Sequence, residues 1–306
     1  MLPLRIMLEY FHPWPNSAGF YLARERGWYA DAGLDVELCV PDPERGDSLQ
    51  HLLDGAVQLS VFPSNRLLVR RDQGQPLKGV AAINHDGLEA FQTLREFDIQ
   101  RPRDLMGKRL AMNPTPRGLA MVRDLVRQDG GDPDAVIIVD AGARELRPEE
   151  LAAGVADASF GGYWAWEALM DSPVAAECRV VHRVSRWGAP AYHSYLLGAR
   201  EDWIAANPQV LRAFLAATTR GFESVAAEPQ LARQAYERVI PYFPGALIEQ
   251  SLSHIAPTWL HQGRFGQQRQ ALLEPYAHWL HQHGILTQPD AWANATTNEY
   301  LPGEAR

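Results

Sequence analysis

The 306-residue sequence has few cysteines, no long apolar run and no excess of basic residues, and each absence excludes a class of protein. Cys39 and Cys178 are the only cysteines; they lie too far apart in sequence to form a metal site by themselves, and we expect both thiols to be unpaired. No apolar stretch reaches about eighteen residues, so no transmembrane helix is expected. The net charge is −8 with both signs spread along the chain, which argues against nucleic-acid binding and against attachment to an acidic membrane surface.

The N-terminal stretch MLPLRIMLEY also lacks the features of a secretory signal peptide. It has no long apolar segment and no small-residue cleavage site, and Glu9 interrupts its hydrophobic residues. Two locations therefore stay open at this point. We expect the protein to be periplasmic if a leader has been removed, and cytoplasmic otherwise.

The first 84 residues alternate strand patterns with helix patterns, as in an α/β fold. Residues 4–8 predict a strand, and the proline-rich FHPWPNSA after it predicts a loop. GFYLARERGWYADA predicts one helix, with Ser17 as its N-cap and Gly33 at its C-terminal end. Alternating apolar residues in LDVELCV predict the next strand. The alternation of helix and strand continues through SLQHLLDG, VQLSVFP, NRLLVRRDQG and LKGVAAIN.

A second group of α/β elements follows, and the end of the chain has a helical pattern. RLAMN predicts a strand, RGLAMVRDLVRQDGG an amphipathic helix, and AVIIVDA a buried strand. RPEELAAGVADASFGG predicts a helix that ends at Gly154 and then a short strand. After RVVHRVS the pattern predicts almost continuous helix.

Two α/β lobes followed by a helical tail are typical of a discontinuous two-lobed binding protein. In such a protein the chain crosses to the second lobe and later returns to complete the first. We predict that lobe one comprises residues 1–84 and 193–306 and that lobe two comprises residues 85–192. Ligands are expected where strand ends and helix starts of the two lobes face each other.

Six segments, in this order, resemble one known family: PN…GFYLARERGWYADAGLDVEL, DGAVQLSVFPSN, RPRDLMGKRLAM, RQDGGDPDAV, GVADASFGGYWAWE and GAPAYHSYLLGARED. The chain resembles the periplasmic-binding-protein-like family of thiamine pyrimidine precursors, which overlaps with the nitrate, taurine and alkanesulfonate receptors. The resemblance covers nearly the whole chain. It implies an α/β, type II periplasmic-binding-protein-like fold with the ligand cleft between two lobes.

The resemblance also places the FHPWPNSA loop and the following helix start at the cleft. In the family this loop carries aromatic side chains that stack on a flat ring, and a helix N-terminus offers free N–H groups to an acceptor-rich ligand. The proline–asparagine pair lies closer to the helix than the family spacing, so either Tyr10 or Trp14 could hold the stacking position. The candidate ligand-binding residues of this lobe are Tyr10, Phe11, His12, Trp14, Asn16, Pro63, Ser64 and His85.

Ordinary structural roles compete with ligand binding at each of these positions. The loop could simply pack, Ser64 or Asn65 could cap the helix that follows VFP, and His85 could be a solvated residue in the turn NHDG. The candidates further along the chain are Thr115, Tyr163, Trp164, Glu167, Trp187, Tyr192 and His193.

Glu167 stands out because it matches a glutamate of the family and follows two tryptophans in GGYWAWE. A carboxylate there could accept hydrogen bonds from an amino group and a ring nitrogen of a pyrimidine, with Tyr163 or Trp164 as a wall. The competing interpretation is an acidic residue that complements a helix dipole. For Thr115, in NPTPRG, the competing interpretation is helix capping.

The sequence favours a non-catalytic receptor of an ABC-type importer, with no cofactor, no metal and an ABC permease as partner. Its ligand would be a small heteroaromatic molecule, a thiamine-related pyrimidine precursor. One alternative is a receptor or cytoplasmic sensor for a sulfonate, taurine or an aromatic acid. Another is an enzyme like the fungal pyrimidine synthases of the same family, but these carry a cysteine-rich cluster that this sequence lacks. The histidines of HWLHQH are expected on a surface helix, and no phosphate loop, nucleophile elbow or zinc signature is present.

Overall fold

The structure is a computed structural model. It describes residues 1–10, 13–42, 44, 46–142 and 144–303, and for Trp166 and Glu167 it describes the backbone alone. The strands are β1 Leu2–Met7, β2 Leu34–Cys39, β3 Leu59–Pro63, β4 Leu77–Ala82, β5 Glu89–Leu94, β6 Arg109–Met112, β7 Ile137–Asp140, β8 Ala158–Gly162, β9 Arg179–Arg183, β10 Tyr195–Arg200, β11 Leu260–His261 and β12 Arg264–Phe265.

Helices alternate with the strands up to β4 and again from β6 to residue 169, and they dominate after residue 200. They are α1 Ala18–Glu25, α2 Trp28–Asp31, α3 Ser48–Leu53, α4 Ser64–Asp72, α5 Pro116–Gln128, α6 Pro148–Ala152, α7 Trp166–Leu169, α8 Glu201–Ala206, α9 Pro208–Ala227, α10 Gln230–Val239, α11 Gly245–Ile255 and α12 Gln270–Gln282. In the described part of the chain, none of these helices combines the length and the hydropathy needed to span a lipid bilayer.

The chain folds into two compact units. Unit one comprises Met1–Asp86 and Tyr192–Arg306, and unit two comprises Gly87–Ala191. The first unit is therefore discontinuous in sequence, because the chain leaves it after β4 and returns to it just before β10.

Unit one is built on a five-stranded sheet in the order β2-β1-β3-β10-β4. Strand β1 pairs in parallel with β2 and β3, whereas β10 is antiparallel to both β3 and β4. The prediction of continuous helix after residue 185 is wrong here, because Tyr195–Arg200 forms this inner strand. Its core residues Leu196 and Leu197 are fully buried, and a short apolar run cannot be distinguished from a buried helix by periodicity alone.

The helix predicted before Gly33 is in fact two helices. Gly27 adopts a φ of 72°, in the left-handed region, and this ends α1 before α2 begins. Helix α1 packs against α9 at two glycines. A Cβ on Gly221 would lie 2.2 Å from the carbonyl oxygen of Gly19, so the close approach of the two helices requires glycine.

Unit two is built on a separate five-stranded sheet in the order β7-β6-β8-β5-β9. Strand β6 is parallel to β7 and β8, and β5 is antiparallel to β8 and β9. The prediction that AVIIVDA is a buried strand is wrong, since β7 lies at the sheet edge and Ile137 is 52% exposed.

In each unit the pairing brings one set of strand ends to a common edge. In unit one the carboxyl ends of β1, β3 and β4 meet the amino end of β10. In unit two the carboxyl ends of β6, β8 and β9 meet the amino end of β5. Loops at such edges are the usual position of ligand sites in α/β folds.

Candidate functional site

The candidates of unit one meet at one edge of its sheet. Tyr10 follows β1, Pro63 ends β3, His85 follows β4, and His193 precedes β10. Backbone hydrogen bonds connect these segments: the amide of Ser64 donates to the carbonyl of Ser194 over 3.2 Å. Phe11 and His12, also predicted for this site, lie outside the described residues.

The two aromatic candidates of the first loop differ in burial. Tyr10 stacks on Trp14 with ring centroids 5.5 Å apart and planes inclined by 20°. Trp14 is wholly buried, meets the ring of Tyr195 edge-on, and its carbonyl accepts a hydrogen bond from Tyr236. Tyr10, by contrast, is only half-buried.

Asn16 is the centre of a buried amide network. Its Nδ2 donates to Oδ1 of Asn84 over 2.9 Å, and its Oδ1 accepts from Nδ2 of Asn84 over 2.8 Å. The indole of Trp259 donates to the same Asn16 oxygen, and Asn84 also donates to the hydroxyl of Thr258. The network ties the first loop to the end of β4 and to residues near 258, so Asn16 has a positioning role that its local sequence does not reveal.

His193 is held as a neutral imidazole. Its Nδ1 lies 2.8 Å from the carbonyl oxygen of Asn84, and its Nε2 lies 2.9 Å from the backbone amide of Arg269. A backbone N–H can only donate, so Nε2 must be unprotonated and the proton sits on Nδ1. Burial, the main cause, lowers the pKa of His193 to about 4, which agrees with this assignment.

His85 is buried beside His193, with 7% of its surface exposed and ring centroids 5.1 Å apart. The interpretation of His85 as a solvated turn residue is therefore wrong. Neither of its ring nitrogens has a hydrogen-bond partner among the described residues. Burial, with a smaller contribution from the neighbouring imidazole of His193, lowers the pKa of His85 to about 3, so this ring is also neutral near pH 7.

The start of α4 adds a second buried polar group to this edge. Pro63, not Ser64 or Asn65, occupies the N-cap position, so the capping prediction is wrong. Ser64 is 1% exposed, and its hydroxyl has no partner within the described part of the chain. The side chain at the helix start is thus available for other hydrogen bonds. Ser17 does occupy the N-cap position of α1, but its side chain makes no capping hydrogen bond.

Glu9 is a further buried ionisable group, and its local sequence does not indicate this burial. Its carboxylate accepts from the hydroxyl of Ser48 over 2.6 Å and from Nη1 of Arg66 over 2.9 Å. Burial raises the pKa of Glu9 to about 7, against the opposing charge of Arg66. Asp47 contacts the same guanidinium at 3.7 Å. The group lies immediately before the first loop of the site.

Tyr192 belongs to the core of unit one. It is 4% exposed and stacks on Tyr276 of α12 with centroids 4.6 Å apart. His278 and His281 of the same helix are exposed, as predicted. Among the described residues no three acidic, histidine or cysteine side chains are grouped to hold a metal ion.

In unit two, Thr115 and Trp187 have clear structural roles. Thr115 is the N-cap of α5 and accepts from the amide of Gly118 over 3.1 Å, so the capping interpretation is confirmed. Trp187 stacks on Phe91 at 4.8 Å and on His182 at 4.7 Å. These contacts fix the segment that follows β9.

The GGYWAWE segment begins with the last two residues of β8, and its residues up to Ala165 are largely buried. Tyr163 and Trp164 are 3% and 4% exposed, and the guanidinium of Arg183 lies 4.1 Å from the centroid of the Tyr163 ring. Glu167 lies in α7, and its side chain is outside what the structure describes. The ligand-binding roles of these residues stay predictions.

The architecture defines a class of protein: the chain has the two-lobed α/β fold of the periplasmic binding proteins. The periplasmic aliphatic sulphonate binding protein of Escherichia coli matches with a TM-score of 0.74 and 15% identity, covering 98% of this chain and 99% of that chain. At this identity the likeness shows the fold alone.

Sequence comparison then identifies the family. A family model described as NMT1/THI5 like matches residues 14–232, and the chain belongs to that family. The formylaminopyrimidine-binding protein of Halalkalibacterium halodurans is 27% identical over 305 residues, which is 96% of this chain and 90% of that protein. A 4-amino-5-hydroxymethyl-2-methylpyrimidine phosphate synthase of Aspergillus parasiticus is 23% identical over 244 residues, 76% of this chain and 70% of that protein.

Proposed function

We propose that this protein is the substrate-binding protein of an ABC-type importer and that it binds a thiamine-related aminopyrimidine. The observation that carries the proposal is that Tyr10, Ser64 and His85 lie at the same edge of the unit-one sheet. The hydroxyl of Ser64 and the ring nitrogens of His85 have no hydrogen-bond partner among the described residues. The similarity to a formylaminopyrimidine-binding protein over nearly the whole of both chains supports the ligand class. A protein that delivers its ligand to an ABC permease in this way would be located in the periplasm.

The chemistry of these groups suits a flat, polar ring. An aromatic side chain with a half-buried face gives a stacking partner, and stacking contributes about 0.5–1.5 kcal/mol beyond the buried area. A neutral imidazole offers one N–H donor and one nitrogen acceptor, which match the ring nitrogens and the amino group of an aminopyrimidine. A few such polar groups in an otherwise apolar site are the usual source of ligand specificity.

Thermal unfolding in the presence of single ligands tests the proposal. The panel is formylaminopyrimidine, 4-amino-5-hydroxymethyl-2-methylpyrimidine, thiamine, taurine, an alkanesulfonate and phthalate. A ligand that binds only the folded state adds about 2.7 kcal/mol of stability at a hundredfold excess over its Kd. We expect the aminopyrimidines to raise Tm. A rise with taurine or the sulfonate alone would overturn the pyrimidine proposal.

A pair of tyrosine variants makes this test specific to the site. Tyr10→Leu should weaken pyrimidine binding by about tenfold, equivalent to about 1.4 kcal/mol, whereas Tyr10→Phe should retain most of the affinity. Tyr242→Leu is the matched control, because Tyr242 belongs to the same unit and is 69% exposed. Equal affinities for Tyr10→Leu and Tyr242→Leu would show that the ligand does not stack on Tyr10.

The relationship to a pyrimidine phosphate synthase provides a second candidate, an enzyme. Incubation with iron and pyridoxal phosphate, followed by mass spectrometry of small products, distinguishes it from a receptor. We expect no pyrimidine phosphate to form. Its formation would replace the receptor proposal by the enzymatic one.

A further inference from the structure

The ring of His85 is fixed in position, but its nitrogens make no hydrogen bond to the described residues. The backbone amide of His85 donates to the carbonyl of Thr258 over 2.7 Å. The centroid of its ring lies 5.1 Å from that of His193 and 5.5 Å from that of His261. The residue is 7% exposed, so the ring is enclosed while the described part of the chain provides no partner for either nitrogen.

The neighbouring His193 shows how a protein fixes the tautomer of a buried histidine. Its Nδ1 donates to the carbonyl of Asn84 over 2.8 Å, and its Nε2 accepts from the backbone amide of Arg269 over 2.9 Å. Because both backbone groups have only one possible role, His193 has a single tautomer. With a pKa lowered to about 3 by burial, His85 is also neutral near pH 7, but no described group decides which of its nitrogens carries the proton.

Ser64 is a second adaptable group at the same sheet edge. It is 1% exposed, and its hydroxyl has no partner among the described residues. Its amide donates to the carbonyl of Ser194 over 3.2 Å, and the hydroxyl of Ser194 donates to the carbonyl of Asp86 over 2.9 Å, so the start of α4 is connected to the turn that carries His85. A hydroxyl can rotate either to donate or to accept. Buried polar groups without partners are rare in native proteins and usually indicate a missing ion, water or ligand.

We propose that His85 is a specificity-determining residue whose tautomer is set by the ligand, so that the site accepts pyrimidines with either an amino or an oxo group. An amino group donates to the unprotonated nitrogen of the ring, whereas an oxo group accepts from its N–H. Ser64 adjusts in the same way when its hydroxyl rotates. The inference rests on the proposed function and deepens it by naming the ring substituents that the site tolerates.

Nitrogen NMR of protein with isotope-labelled histidine rings tests the tautomers directly, and the spectrum of His85→Phe assigns the signals of His85. Without ligand, we expect His193 to carry its proton on Nδ1 alone and His85 to show the averaged signals of two tautomers. The ligands are 4-amino-5-hydroxymethyl-2-methylpyrimidine and its analogue with an oxo group in place of the amino group. The two ligands should select opposite tautomers of His85 and leave His193 unchanged. The same tautomer of His85 with both ligands would overturn the proposal.

Calorimetric titration with the same two ligands measures the tolerance. We expect Kd values within about threefold of each other, equivalent to about 0.6 kcal/mol, and a preference above about tenfold for one ligand would contradict the proposal. His85→Phe keeps a flat ring without hydrogen bonds and should weaken both ligands by a similar factor of about ten. His278→Phe is the matched control, because His278 is an exposed histidine of unit one, and it should leave both affinities unchanged. Far-ultraviolet circular dichroism shows whether each variant retains the fold.

The outcomes separate the adaptable histidine from the proposed function. If the pyrimidines bind and His85 keeps one tautomer throughout, the pyrimidine function stands and the role of His85 is wrong. If neither pyrimidine binds, the pyrimidine function is wrong, and the spectrum of the ligand-free protein still decides about His85. Averaged signals would then support a tautomer that the protein leaves open, whereas a single tautomer would show that the protein itself fixes it.

Discussion

Ionisation of the buried Glu9 should make the stability of this protein fall as the pH rises from about 4.5 to about 7. Burial raises the pKa of Glu9 from the ordinary 4.5 to about 7, and its side chain is 9% exposed. In the unfolded chain the carboxyl ionises first as the pH rises, while the folded carboxyl keeps its proton until about pH 7. Since the folded state binds more protons in this window, raising the pH favours unfolding.

The size of the effect follows from the difference between the two pKa values. About 2.5 pH units at about 1.36 kcal/mol each give roughly 3 kcal/mol, present in full below pH 4.5 and lost above pH 7. Glu9→Gln removes the ionisation and keeps one carbonyl oxygen, whereas the carboxyl group accepts from Ser48 and Arg66 with two separate oxygens. The lost hydrogen bond changes stability equally at every pH, so the variant should gain roughly 3 kcal/mol relative to the wild type as the pH rises from 4.5 to above 7.

Urea unfolding at several pH values, followed by tryptophan fluorescence, measures this difference directly. The quantity to plot is the unfolding free energy of Glu9→Gln minus that of the wild type, which cancels groups common to both proteins. Glu37→Gln is the control for loss of a carboxylate, because the Glu37 side chain is 63% exposed in its ion pair with Arg5. A flat difference for Glu9→Gln between pH 5 and 8 would refute the reasoning.

Two substitutions in the packing of unit one give further tests. Asn84→Ala leaves the buried Nδ2 of Asn16 without its acceptor, whereas Asn16 Oδ1 keeps the indole of Trp259 and the hydroxyl of Thr258 keeps the carbonyl of Ile255. At about 1–3 kcal/mol for an unpartnered buried donor, the substitution should destabilise the protein by roughly 1–3 kcal/mol in urea unfolding. A loss below about 0.5 kcal/mol would mean that the amide network does not hold the loop. Gly19→Ala places a Cβ 2.2 Å from the Phe222 ring and should lower stability by roughly 1–3 kcal/mol. An unchanged Tm would show that α1 and α9 can separate at little cost.

Much of the fold could be predicted because the strands and helices carry their own local patterns. The alternation in β2 and the amphipathic pattern of α5 appear in the structure where they were predicted. The errors arose where a local pattern has two meanings. Strand β10 is a short apolar run inside a sheet, and β7 is equally apolar but lies at a sheet edge.

The candidate site was predicted as a set of segments, but the state of its side chains was not. The family resemblance, together with the residue types, led to the proposal of the loop after β1, the turn after β4 and the segment before β10. Their hydrogen-bond partners are distant in sequence: Trp259 donates to Asn16, and the amide of Arg269 donates to His193. The hydrophobic periodicity within one segment does not indicate which distant residues form hydrogen bonds with it.

The sequence by itself determined most of the strands and helices before residue 169, because side-chain alternation, proline, glycine and capping residues act within a few neighbouring residues. Tertiary structure alone decided that Trp14 belongs to the core, that His85 is a buried neutral imidazole, and that Glu9 is buried with a raised pKa. Burial and charge at a site depend on which distant segments pack there. The burial and the protonation state of these side chains therefore depend on the folded chain, because residues far apart in sequence form their hydrogen bonds and exclude water from them.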